Sequence, residues 1–166
     1  MLSWSALALA TLTATAGTGL AGIRYDAPPP NFAIPSPRGR QYLYGLRGRV
    51  VVVDFWASWC DVCTAEMKYF VRAQRLLGNR LAIVTISSEL PDVAASYLRQ
   101  WNIDLPLVDD PTGAISRLYD VSKIPVTLVL DPKGNVSYVS VGGLSWEELD
   151  RAIEQAASTP TPRVLQ

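Results

Sequence analysis

Cys60 and Cys63 are the only two cysteines of the chain, and they stand two residues apart in the stretch FWASWCDVC. Two thiols at that spacing can hold a metal, staple a loop, or exchange with a disulfide on another molecule. Two thiolates alone make a poor metal site. With no histidine in the 166 residues, a zinc centre would need Asp or Glu to complete it. The same absence removes histidine-based triads, and Thr64 after Cys63 removes c-type haem attachment. A structural disulfide would close so short a loop that it would restrict the unfolded chain little. Exchange needs a nucleophilic thiolate and a second thiol able to attack the mixed disulfide that results.

That chemistry requires the pair to sit at a particular place in a fold, and the flanking sequence supplies one. RVVVVDFWAS, ending at the motif, is a β-branched run suited to a strand buried on both faces of a sheet. CTAEMKYFVRAQRLLGN then puts Phe70, Val71, Ala73, Leu76 and Leu77 at helical spacing and stops at Gly78. At such a junction the free N–H groups and the dipole of the helix favour the thiolate at the first cysteine. Cys60 is therefore the expected nucleophile, and Cys63, one helical turn on, the resolving thiol. Asp54 lies inside the hydrophobic strand, where a carboxylate is costly unless it is used or stays neutral. Asp61, beside the nucleophile, opposes part of the helix effect and points to a milder thiol and a reducing enzyme.

Further along, LAIVTIS reads as a second buried strand, PDVAASYLRQW as an amphipathic helix with Pro91 in its first turn, and TGAISRLYD as a short helix. VTLVLDPKGNVSYVSV reads as a hairpin turning at Pro132 and Gly134, and Ser145 to Glu148 as the capping box of a last helix carrying Leu149, Ala152 and Ile153. Fifteen basic and fifteen acidic residues cancel, so nothing in the charge points to nucleic acid or to a cationic partner. The expected organisation is a membrane anchor or signal segment over 1–23, a proline-rich linker over 24–31, one folded domain over 32–157 and a flexible tail over 158–166. The first 23 residues carry no charge and can span a bilayer as a helix; ATA at 14–16 has the form of a signal-cleavage site, although a basic leader is missing. The domain is thus expected outside the cytoplasm, on the periplasmic side, tethered through residues 2–23 or secreted after cleavage.

VVVDFWASWCDVC followed by KIPVT resembles the thioredoxin superfamily, and FAIPSPRGRQYLYGLRGRV together with DDPTGAISRLYDVSKIPVTLVLDPKGNV resembles its TlpA/ResA-like branch of membrane-tethered thiol-disulfide oxidoreductases. The resemblance spans about residues 32–157. It implies an α/β thioredoxin-like fold: a central mixed β-sheet flanked by helices, with an N-terminal β-hairpin and a helical insert. It implies that Pro125 is a cis proline facing the cysteines, that the backbone of Ile124 pairs with a substrate chain, and that Trp59 shapes the substrate surface. Asp54 would move protons to and from Cys63. Glu89 matches an acidic residue placed near the cysteines in some relatives, or else caps the following helix. Val62 and Lys68 stand where the family usually and often, respectively, has proline. The implied activity is reduction of disulfides in exported proteins, apocytochrome c, a metallo-oxidase subunit or another thiol protein, by a monomer without cofactor or metal that draws electrons from a membrane thiol reductant. Oxidase or isomerase activity with the same cysteines, and a non-catalytic binding module or copper chaperone, are the alternatives; the missing histidine speaks against the chaperone and the intact pair against an inert module.

Overall fold

Alternation of buried side chains organises the molecule. The computed structural model describes residue 20, residues 23–37 and residues 39–158. Val50–Trp56 forms a strand, β3, in which all seven residues are buried, as its apolar run, broken only by Asp54, requires. It is the middle of a five-stranded sheet ordered β5-β4-β3-β6-β7, formed with Leu81–Ser87 (β4), Leu107–Asp109 (β5), Val126–Leu130 (β6) and Val136–Val141 (β7). β4 is parallel to β3 and β5 to β4, whereas β6 is antiparallel to β3 and β7 to β6.

Successive residues of β3 face opposite sides of the sheet. Val50, Val52 and Trp56 pack on one side with Asp61–Leu77 (α1), Pro91–Gln100 (α2) and Trp146–Ala157 (α4), through Met67, Phe70, Ala94, Leu98, Leu149 and Ile153 among others. Val51, Val53 and Phe55 face the other side, against Phe32, Ile34, Leu43, Leu46 and Tyr119. That layer comes from the hairpin Ala33–Ser36 (β1) with Gly39–Tyr42 (β2), the short helical turn after it, and the tyrosine that closes Ala114–Leu118 (α3). Burying a Val, Leu or Phe side chain contributes about 1.5–3 kcal/mol. Truncating Phe70, fully enclosed between α1 and the sheet, would cost about 3–5 kcal/mol.

The expected architecture of mixed sheet, N-terminal hairpin and flanking helices is present. Gly78 ends α1 with positive φ, and the Ser145 to Glu148 capping box opens α4. Residues 24–31 do not stand off the body as an extended spacer. Tyr25 bridges to Val136, the amide of Asp26 donates to the Val136 carbonyl, and the amide of Val136 donates to Ala27. The hydroxyl of Tyr44 donates to the carbonyl of Pro29 at 2.8 Å, and that of Tyr119 to Pro30. These bonds make the proline-rich stretch a strap, and Ile23 before it is buried in the hairpin-side core. The segment expected to anchor the chain lies outside the described residues except for Leu20 and Ile23, as does the tail beyond Ser158. Among the described residues no helix is long and apolar enough to cross a membrane.

Candidate active site

β3 delivers the chain to the cysteines through a single tight turn. The amide of Cys60 donates to the carbonyl of Ala57 at 3.1 Å, so Ala57–Cys60 reverses direction directly after the strand. Ser58 and Trp59 occupy the middle of that turn, and Trp59 is 71% exposed, a large apolar surface presented beside the motif. Cys60 is the N-cap of α1: its sulfur accepts from the amide of Cys63 at 3.2 Å, and its carbonyl accepts from Thr64 at 3.0 Å. A sulfur in that position meets an unpaired helix N–H and the positive end of the dipole, both of which stabilise negative charge on it. Cys60 and Cys63 are joined as a disulfide with Cα atoms 5.3 Å apart. Cys60 is partly exposed, whereas Cys63 is completely enclosed.

Asp54 points toward the α1 side of the sheet, by its alternation with Val52 and Trp56. It is fully buried; one carboxyl oxygen accepts from the Thr127 hydroxyl at 3.0 Å, and the other has no hydrogen-bond partner. Burial, then the nearby Glu66 carboxyl, pushes Asp54 well above the usual carboxylate range, against the opposing effect of the Thr127 bond. Glu66 is a second buried acid that the motif reading did not single out. It lies three residues after Cys63 on the same face of α1 and is 2% exposed. Its Oε2 accepts from the amide of Leu144 at 3.0 Å, while Oε1 has no partner. Burial pushes its pKa up from 4.5 to about 7, only partly offset by the Leu144 bond. The spacing in the sequence places the stripe at Phe70, Val71, Ala73, Leu76 and Leu77, whereas the face that α1 buries carries Cys63, Glu66, Met67, Phe70 and Ala73, one of them ionisable. Glu66 also lines a surface groove with Val62, Tyr69, Gly143 and Leu144.

Ile124 and Pro125 are joined by a cis peptide bond. Phe55 pairs with Val126, so the two residues lie just beyond the start of β6, at the same end of the sheet where β3 runs into the cysteine turn. Glu89 is half-buried and does not cap α2, whose N-cap is Leu90 without a side-chain bond. Its carboxylate instead accepts from the amide and the hydroxyl of Ser58, each at 2.7 Å. The fold thus gathers Cys60, Cys63, Trp59, Asp54, Ile124 and Pro125 at one end of the sheet and ties Glu89 to the turn that precedes them. Among the described residues no three Cys, Asp or Glu side chains converge as a metal site.

A partly open thiol at a helix end, backed by an enclosed thiol with two buried carboxyls of raised pKa on its side of the sheet, can carry out dithiol-disulfide exchange. The sequence matches the AhpC/TSA family over residues 26–139. It is 26% identical over 138 residues to the thioredoxin-like protein YneN of Bacillus subtilis, covering 80% of this chain and 81% of that protein. With the thiol-disulfide oxidoreductase ResA of the same organism it shares 27% over 119 residues, 70% of this chain and 66% of the relative. The crystal structure of a thioredoxin family thiol:disulfide interchange protein from Chlorobium tepidum superposes with a TM-score of 0.69 at 28% identity, covering 82% of this chain and 99% of the other.

Proposed function

Because the chain belongs to the AhpC/TSA family and is a ResA-like thiol-disulfide oxidoreductase, we propose that it works as a reductase of disulfides in exported proteins, held outside the cytoplasm by its N-terminal segment. The Cys60 thiolate attacks one sulfur of a substrate disulfide, forming a mixed disulfide and releasing the other substrate sulfur as a thiolate that takes a proton. Cys63 loses its proton and attacks the Cys60 sulfur, so that the second substrate sulfur leaves as a thiol. Two electrons and two protons pass to the substrate, and the protein is left with the Cys60–Cys63 disulfide. A dithiol from a membrane reductant reverses these steps and resets the enzyme.

The observation that carries this reading is the inequality of the two cysteines: Cys60 at the open helix end, Cys63 enclosed on the side of Asp54 and Glu66. An enclosed thiol resists ionisation, so resolution needs a proton acceptor inside the site. Asp54 and Glu66 interact, and a group that titrates near 7 can take and return a proton at working pH. Trp59 and the backbone of Ile124 form the surface against which an extended substrate chain lies. Asp61 beside the nucleophile tempers its acidity, which favours the reducing direction. The uncharged run at residues 1–23 supports tethering on the periplasmic side and a membrane reductant as electron donor. Apocytochrome c or another exported thiol protein would be the substrate, and the domain would act as a monomer.

The reduction potential of the cysteine pair tests the direction, measured by equilibration with glutathione and thiol trapping. A value near or below about −270 mV is expected, and one near about −120 mV would make the protein an oxidase.

A further inference from the structure

Glu89 holds one of the most heavily bonded side chains near the cysteines, and nothing in the exchange steps uses it. Its Oε2 accepts from the amide of Ser58 at 2.7 Å and from the buried Ser87 hydroxyl at 3.2 Å, and its Oε1 accepts from the Ser58 hydroxyl at 2.7 Å. Its own amide donates to the Ser87 hydroxyl at 3.3 Å. Ser87 is the last residue of β4, and its carbonyl accepts from Asp110 just beyond β5, so this end of the clamp is part of the sheet. The other end is the turn Ala57–Cys60, in which Ser58 and Trp59 are the central residues. Bonds between a carboxylate and N–H or O–H donors are stronger than neutral ones. The fold fills both acceptor positions of Oε2 and one of Oε1, so most of the carboxylate's capacity goes to holding the turn.

We propose that Glu89 is a positioning residue that fixes the Ala57–Cys60 turn to the end of β4 and thereby keeps the Cys60 sulfur on the axis of α1 and Trp59 at its presented height. The relation is mechanical. Cys60 follows the clamped Ser58 by two residues, and its sulfur must stay within reach of the Cys63 amide to gain the helix-end stabilisation. Releasing Ser58 lets the turn swing, moves the sulfur off the helix end and raises the Cys60 thiol pKa. The role is independent of whether exchange runs as reduction or oxidation, so it stands or falls separately from the direction proposed above.

A charge role and a positioning role predict opposite signs. If Glu89 acted through its negative charge, removing it would make Cys60 more acidic, and Glu89→Gln would behave like Glu89→Ala. As a clamp, Glu89→Gln retains function, because the amide oxygen accepts from the Ser58 N–H and the amide nitrogen donates to the Ser58 hydroxyl. The experiment is the pH profile of Cys60 alkylation by iodoacetamide in the reduced full chain, with labelled peptides resolved by mass, in wild type, Glu89→Ala, Glu89→Gln and Ser58→Ala. Glu89→Ala should shift the profile to higher pH and slow labelling at pH 7 by about two- to fivefold, the factor corresponding to the helix-end interaction lost. Ser58→Ala, which keeps the amide bond, should change it in the same sense and by less, and Glu89→Gln should follow wild type. A profile that moves to lower pH in Glu89→Ala, a Gln variant as impaired as Ala, or a Ser58→Ala profile shifted the opposite way would each overturn the proposal. Reading Ser58→Ala and Glu89→Gln beside Glu89→Ala keeps the outcome decisive even if the alanine variant at 89 folds poorly.

Discussion

Replacing Glu66 with glutamine should change how the stability of the oxidised protein depends on pH. The carboxyl has a pKa of 4.5 when free and about 7 in the folded protein, because burial disfavours its charge. Between those values the native state holds a proton that the unfolded chain has released. Stability is therefore fully present below about pH 4.5 and is lost as pH rises toward 7. At about 1.4 kcal/mol for each pH unit between 4.5 and 7, the loss has an upper bound of about 3.5 kcal/mol. Glu66 borders the groove beside Val62 and Gly143, where nearby solvent screens it, so about 1–2 kcal/mol is expected. Asp54, raised by its burial and by Glu66, adds a decline of the same sign. Urea denaturation of the disulfide form from pH 4.5 to 8 reads the slope. Glu66→Gln preserves the shape and the bond from Leu144, so its curve should fall less steeply and lie above wild type at pH 7.5. Curves that run parallel across the window would show that Glu66 is ionised in the native state and that its burial has been paid for by a partner other than Leu144.

Limited alkylation of the reduced protein near neutral pH should label Cys60 well before the enclosed Cys63; the reverse order, read by peptide mass, would exchange their roles. In single-turnover reduction of a protein disulfide, Asp54→Asn should leave mixed-disulfide formation intact and slow its resolution by about 10²-fold, whereas equal release rates from pH 6 to 9 would make Asp54 structural. A side chain added at Gly143 would meet Val62 Cγ1 at 2.4 Å, so Gly143→Ala should destabilise by about 1–3 kcal/mol in denaturant. Val62→Ala in the same chain should restore most of that loss, and failure to restore it would locate the strain elsewhere. Trp59→Ala should lower kcat/KM for a protein disulfide by about tenfold and hardly affect a small aromatic disulfide; equal losses on both would contradict a docking role.

Strands and helices with a strong period were legible in the chain. The strand Val50–Trp56, Gly78 and the Ser145 to Glu148 box are as read; on α1 the buried stripe is Cys63, Glu66, Met67, Phe70 and Ala73, and of the expected members Leu76 is exposed and Val71 and Leu77 are only partly covered. The cysteine junction followed, because a buried strand running into an amphipathic helix leaves the motif at a helix end. Asp54 stood out as a charge inside a hydrophobic run. Glu66 did not, since an acid on a helix looks solvated until one sees which face the helix buries. Glu89 was visible as a residue and opaque as a role: Ser58, 31 residues away, reaches it only because β3 and β4 are parallel neighbours ending at the same level. The strap at residues 24–31 was hidden for a related reason. Prolines predict an extended chain, but the bonds to Val136, Tyr44 and Tyr119 come from distant sequence.

On the proposed tethering through the N-terminal segment, the strap sets which pole of the domain is held. Val136 pairs with Leu130, and Leu130 with Val51, so Tyr25–Ala27 join the strap to the sheet at the end where β3 begins. The cysteine turn lies at the end where β3 stops, roughly 23 Å away for seven extended residues. Whatever restrains the residues before Leu20 holds the domain by one pole while the thiol works from the other. Under the proposed tethering, the held end and the reactive turn lie at opposite ends of the sheet, so a partner that covers the reactive pole leaves the other clear.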